Sequence, residues 1–188
     1  MGFLYGTDRL TVSSALALAQ GAIKGSVSGR ARERVLDSQA EVEAILHTDR
    51  AVYGVNTGFG ILAHTRINEA DTRLLQHKIL ESHSVGVGDP IPTAIARIML
   101  VTKLQALSQG FSGVQLTTLD RIQWHLDNDV IPVVPSRGSV GASGDLAPLA
   151  HLFLPLVGLG TVMVNGEEKM TIEVLRQHGL EPIQLGPK

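Results

Sequence analysis

The chain has 188 residues, a formal net charge of −2, and 44% hydrophobic against 18% charged residues. At about 150 residues per domain this is one domain, two at most, and so apolar a composition excludes intrinsic disorder. The near-neutral charge argues against a nucleic-acid partner or a polybasic membrane binder, and the absence of cysteine excludes a disulfide framework, a thiolate zinc site and a cysteine nucleophile.

Most of the chain reads at helical period. Val35, Val42, Ile45 and Leu46 recur among charges over 31–47 and predict an amphipathic helix. Asn68 is the expected N-cap of a helix running to about Ser82, with Leu74, Leu75, Ile79 and Leu80 broadly on one side. Pro92 opens a third helix, carrying Ile95, Ile98, Met99, Leu100, Leu104 and Leu107, that Gly110 stops. A fourth covers 114–126; Pro132, Pro135 and Gly138 then hold the chain extended and irregular. The stretch 145–157 is almost wholly apolar and predicts a buried helix. Residues 161–170 carry a hairpin signal with Asn165-Gly166 at the turn, and Thr171 is read as the cap of a short helix ended by Gly179. The N-terminus has an acid and an arginine early and no apolar core, so no secretory leader is expected. The longest apolar stretch, 152–159, is broken by Pro155 and Gly158 and is far short of a span of about 20 residues, so the expectation is a soluble, cytoplasmic chain without a membrane partner.

Two glycine-rich irregular segments, 53–60 and 138–144, interrupt the helices, and such segments between good helices are where function concentrates. Gly58-Phe59-Gly60-Ile61-Leu62-Ala63 matches a dinucleotide fingerprint in letters, but the strand before it is too short and no strand–helix alternation follows. Gly141-Ala142-Ser143-Gly144-Asp145 is not a nucleophile elbow, because Asp145 stands where that motif needs glycine. There is no phosphate-binding G-K-[ST] and no pair of histidines four apart for a helical zinc site. His47, His64, His125 and His178 are read as surface or capping residues.

The string from Gly138 to His151, Gly-Ser-Val-Gly-Ala-Ser-Gly-Asp-Leu-Ala-Pro-Leu-Ala-His, is more specific than a capped turn. It resembles the signature of the aromatic amino acid ammonia-lyases. A second segment, Tyr53-Gly54-Val55-Asn56-Thr57-Gly58-Phe59-Gly60, resembles the same family and stands in the family's order. The resemblance implies a mainly α chain: the N-terminal part of the fumarase/aspartase-like helical lyase fold, with a short β hairpin and Gly-rich active-site loops. It implies that Ala142, Ser143 and Gly144 cyclise, the Gly144 nitrogen attacking the Ala142 carbonyl with loss of two waters. The product is a methylidene-imidazolone prosthetic group in which Ser143 has become a dehydroalanine. The residue types suit this chemistry: Gly144 lets the backbone fold sharply, Ala142 leaves the carbonyl uncrowded, and Ser143 supplies the hydroxyl that leaves. The start of a helix at Asp145 would favour negative charge developing on that electrophile.

By the same resemblance Tyr53 is the base that removes the substrate's β-proton, a task for which an ordinary phenol, titrating near 10, needs a favourable environment. Ser82-His83 is the pair that the family's histidine lyases carry, where tyrosine lyases have His-Leu and phenylalanine lyases Phe-Leu; an imidazole can donate to or accept from another imidazole. The resemblance therefore implies conversion of L-histidine to trans-urocanate and ammonia. His83 and Asn56 bind substrate, Gly60, Ser82 and Asp145 support the site, and neither metal nor nucleotide is needed. Phenylalanine or tyrosine ammonia-lyase or aminomutase activity is the alternative. A further alternative is an inactive truncated paralogue acting as a partner-binding subunit. The family is more than twice as long and builds its sites from several subunits. The expectation is thus that residues 1–188 form one N-terminal lyase region lacking the C-terminal helical bundle, with a homo-oligomer or a complementary C-terminal fragment as partner. The apolar faces of 91–107 and 146–157 are expected to exceed what this length can bury.

Overall fold

A computed structural model describes residues 2–48, 50–141 and 144–186. The chain begins with a parallel strand pair, β1 (Phe3–Tyr5) and β2 (Gly25–Val27), in register Phe3 to Gly25, joined through helix α1 (Val12–Ala19). Thr11 caps α1 in a capping box: the Ser14 amide donates to Thr11 Oγ1 at 3.2 Å and the Thr11 amide donates back to Ser14 Oγ at 2.8 Å. None of these elements is legible in the sequence, since a three-residue strand is too short to display an alternation. Helix α2 (Gly29–Leu46) follows, with the Ser28 hydroxyl accepting the Ala31 amide.

Helix α3 (Glu69–His83) starts where Asn68 predicts it, the Asp71 amide donating to Asn68 Oδ1 at 2.8 Å. Its expected apolar face is not buried as a stripe: Leu74 is 56% exposed, while Thr72 is the residue driven fully inside. After β3 (Val87–Pro90), helix α4 (Thr93–Leu107) forms the centre of the core. The expectation that its apolar face would stand exposed is corrected: Leu100, Val101 and Leu104 are fully buried, and of that face Ile95 alone is counted among the exposed large side chains. The cover comes from the N-terminal strands and α1, with Phe3, Tyr5, Leu18 and Val27 in the same cluster, and from α5 (Leu116–Asp127) through Leu119 and Ile122.

Short strands β4 (Ile131–Pro132) and β5 (Pro135–Arg137) lie in the region read as extended. Helix α6 (Leu146–Phe153) is shorter than the predicted 145–157, because Pro155 offers no amide to continue the ladder and Leu154–Val157 tightens into a 3-10 turn. Strands β6 (Thr161–Val164) and β7 (Glu167–Met170) form the predicted hairpin, with Asn165 and Gly166 both at positive φ, and β4 adds to it antiparallel. Helix α7 (Thr171–Gln177) departs from prediction at its start: Thr171 is its first helical residue rather than its cap. Its buried hydroxyl donates to the Gly160 carbonyl at 3.0 Å and is therefore spent. Among the described residues no helix is long and apolar enough to cross a membrane, and no cluster of side chains could hold a metal ion.

His125 is a second correction. It is buried in α5, not on the surface, with Nδ1 2.7 Å from the Val130 carbonyl, so that nitrogen carries the proton. Burial, reinforced by nearby Arg121, depresses its pKa from 6.5 to about 4, against the raising effect of the Val130 bond. Between these two values the unfolded chain binds a proton that the folded chain refuses. Stability is therefore full above pH 6.5 and falls as the pH drops toward 4, by up to about 3 kcal/mol. Urea midpoints at pH 7 and pH 4.5 should show the loss, and His125→Gln, which cannot titrate here, should flatten that part of the difference.

Candidate functional site

The Tyr53 segment is a tight loop closed by its own side chains. Asn56 is buried; the Val52 amide donates to its Oδ1 at 2.8 Å and its Nδ2 donates to the Arg50 carbonyl at 2.9 Å. Thr57, also buried, accepts the Gly54 amide and donates to the Gly58 carbonyl. The Asn56 carbonyl accepts the Ile67 amide and Thr57 bridges to Arg66, tying the loop to the start of α3. In this structure Asn56 thus works as the clamp of the loop. Tyr53 stands out from it, 61% exposed, with its ring edge-on to Phe59 at 5.5 Å and its hydroxyl without a hydrogen-bond partner among the described residues. Gly60, at positive φ, opens the 3-10 turn that follows.

Ser82 and His83 end α3. His83 Nδ1 lies 2.9 Å from the Ile79 carbonyl, which can only accept, so Nδ1 holds the proton and Nε2 keeps a lone pair. Ser82 Oγ lies 3.2 Å from the same ring nitrogen and also donates to the Ile79 carbonyl. The imidazole is thereby fixed in one tautomer at the helix terminus.

Immediately beyond, β3 pairs antiparallel with β5, Val87 opposite Arg137 and Pro90 opposite Pro135. This pairing brings the His83 segment beside the strand that leads into 138–145. Two glycines make the approach possible: a Cβ on Gly138 would lie 3.0 Å from Gly86 Cα, and one on Gly86 would lie 3.1 Å from His151 ring atoms. His151, on α6, accepts the Gly86 amide at Nε2 (3.0 Å). Burial lowers its pKa, which keeps the ring neutral and that lone pair available. His151 sits in the signature string, but nothing in its spacing points to a partner 65 residues away. Its replacement by Ala should speed exchange of the Gly86 amide roughly five- to tenfold, the worth of one such bond, as hydrogen-exchange NMR would read.

Ala142 and Ser143 lie outside the described residues. On either side the backbone turns sharply: Gly141 (φ +56), Gly144 (φ +87) and Asp145 (φ +53) are all left-handed. Asp145 occupies the N-cap position of α6 without capping it; its carboxylate instead accepts the Ser139 hydroxyl at 2.5 Å, closing the segment at its base. A non-glycine residue in this conformation is strained and is held by its surroundings. Among the described residues, chain neighbours aside, no atom lies within 4 Å of the Cβ positions of Gly141 and Gly144. Sharp turns at Gly141, Gly144 and Asp145 fit a tripeptide that must fold back on itself. Val85, Val87, Val140 and Leu146 are exposed beside the β3–β5 pairing, an apolar rim open to solvent, and Ile61 is exposed beside the Tyr53 loop.

The sequence profile of a family described as aromatic amino acid lyase matches residues 10–188. A probable histidine ammonia-lyase of Halobacterium salinarum is 44% identical over 187 residues, covering 100% of this chain and 36% of its own length. Among solved structures, an ergothionase from Treponema denticola superposes with a TM-score of 0.93 at 26% identity, over 100% of this chain and 37% of that one. A histidine ammonia-lyase from Trypanosoma cruzi does so with 0.88 at 32% identity, over 99% and 36%. The chain spans about a third of the length of these relatives, and its fold is the mainly α lyase fold that the resemblance implied.

Proposed function

The chain belongs to the aromatic amino acid lyase family, and on that premise we propose that it carries the electrophile- and base-bearing part of an enzyme converting L-histidine to trans-urocanate and ammonia. The observation that carries the reading is the β3–β5 pairing, by which the Ser82-His83 pair and the segment 138–145 approach each other. The names of the relatives support histidine over phenylalanine or tyrosine as substrate.

Ala142, Ser143 and Gly144 would form the methylidene-imidazolone, held at the N-terminus of α6 by Ser139 and Asp145. That group supplies an electrophilic carbon that turns the substrate's amine into a leaving group. His83 presents the lone pair of Nε2 to the N–H of a substrate imidazole, and Ser82 and the Ile79 carbonyl hold its ring for that purpose. Tyr53 takes the β-proton; as the proton and the amine leave, their electron pairs yield the double bond of urocanate and free ammonia. His151 acts at a distance, holding the loop after His83 against α6. The exposed apolar rim supports completion of the site by further chain or by further copies in an oligomer.

Intact mass is the test. The chain should weigh two waters less than its sequence, with the deficit in the peptide that contains Ser143. Urocanate absorbance should appear with L-histidine when the segment that relatives carry beyond this third is supplied as a second chain. An unmodified tripeptide together with no urocanate after complementation would overturn the reading.

A further inference from the structure

Lined by none of the lyase-motif residues, a cleft of about 290 Å³ lies among β1, β2, α1, α4 and α5. Its floor is the hydroxyl end of Tyr5. That side chain is 2% exposed, yet its hydroxyl has no hydrogen-bond partner among the described residues. The ring is pinned with this end toward the cleft: a Cβ on Gly25, which lines the cleft, would lie 2.4 Å from Tyr5 Cε2 and 2.9 Å from Cζ. The oxygen is thus left to pair with whatever enters the cleft, water or a ligand group.

The charges around the cleft narrow the choice. Asp129 is already paired with Arg97. Asp127 has no cationic partner among the described residues; its carboxylate accepts only the Gln123 side-chain amide at 3.3 Å. Burial and the charge of Asp127 together raise the Tyr5 pKa, so the hydroxyl stays protonated and lies in negative potential. Leu18, Ile23 and Leu126 supply apolar wall. Lys24 stands exposed on the rim, a cation without an ionic partner among the described residues.

We propose that this cleft is a binding site for a primary ammonium group on a short apolar stem. The N–H groups donate to the Asp127 carboxylate and the Tyr5 oxygen, and the stem packs on Leu18, Ile23 and Leu126. A simple amine and a free α-amino acid both carry that group, and Lys24 gives the second a place for its carboxylate. The site is independent of the lyase reading, since it uses none of the residues assigned to that reaction.

Titration of the isotopically labelled 188-residue chain with n-butylammonium and, separately, with L-norvaline tests it, with n-butyrate at matched ionic strength as control. Saturable shifts are expected at the Gly21 and Gly25 amides and the Gln123 side-chain amide with at least one of the two amines, and none with butyrate. Tighter binding of norvaline would assign the amino acid as the source, and tighter binding of butylammonium the simple amine. Asp127→Asn, which preserves shape and can still contact Gln123, should abolish the shifts. Tyr5→Phe, which removes one hydroxyl and keeps the packing on Gly25, should weaken binding about tenfold, the worth of a hydrogen bond to a charged group. Absence of saturable shifts with both amines, or equal binding in a folded Asp127→Asn chain, would overturn the proposal.

Discussion

In a preparation that forms urocanate, Tyr53→Phe is expected to lower turnover about a thousandfold, the range for loss of a positioned base, while the tripeptide still loses its two waters. Ser143→Ala is expected to do the reverse in mass: the chain keeps its full sequence weight and turnover disappears. The contrast follows from what each change leaves intact. The Tyr53 loop is held by Asn56 and Thr57, not by the tyrosine, and the edge-on contact with Phe59 survives removal of a hydroxyl that has no partner among the described residues. The phenyl ring of the variant would thus sit where the phenol sat, and only the proton acceptor is gone. Mass spectrometry and absorbance on one preparation separate the two roles. A Tyr53→Phe chain that turns over at the full rate would remove the tyrosine from the chemistry, and a dehydrated Ser143→Ala chain would remove the proposed origin of the electrophile.

Each motif is legible because its parts are local. Asn165-Gly166 demands a tight turn wherever it stands between two short strands, and Asn68 needs only Asp71 to act as a cap. The loop closed by Asn56 likewise spends its hydrogen bonds within a few residues of itself. How the segments meet is not legible. The pairing of β3 with β5, and the bond from the Gly86 amide to His151, join segments far apart in sequence, and no spacing announces them. The same holds for burial. His125 is a polar residue in α5 and reads as a surface or capping residue; the Val130 carbonyl, reachable only after the chain turns back, accepts its Nδ1–H and allows it inside. The face of α4 looks unpartnered in the sequence because the two short strands and α1 that cover it carry too few residues to show a period.

Gly138→Ala should be the most damaging single-methyl change near the site, costing about 4 kcal/mol: roughly 2 for a non-glycine residue in a glycine-only region of φ and roughly 2 for overpacking. The backbone there has φ +148, and the new methyl would lie 3.0 Å from Gly86 Cα and 3.3 Å from the Ala147 Cβ. Neither neighbour is the end of a flexible side chain, so relief requires β3 or the start of α6 to move. Those are the two elements whose contact brings His83 toward the tripeptide. The melting temperature should fall by on the order of 10 °C for a chain of this size, and turnover should be lost even below the new melting point, because the strain is relieved by separating the two halves of the site. Gly29→Ala provides the control: a Cβ there meets nothing within 4 Å and the residue is already helical, so its effect should stay within about 1 kcal/mol. If Gly138→Ala melted like Gly29→Ala and kept full turnover, close approach of Gly138 to Gly86 would not be what holds the site together.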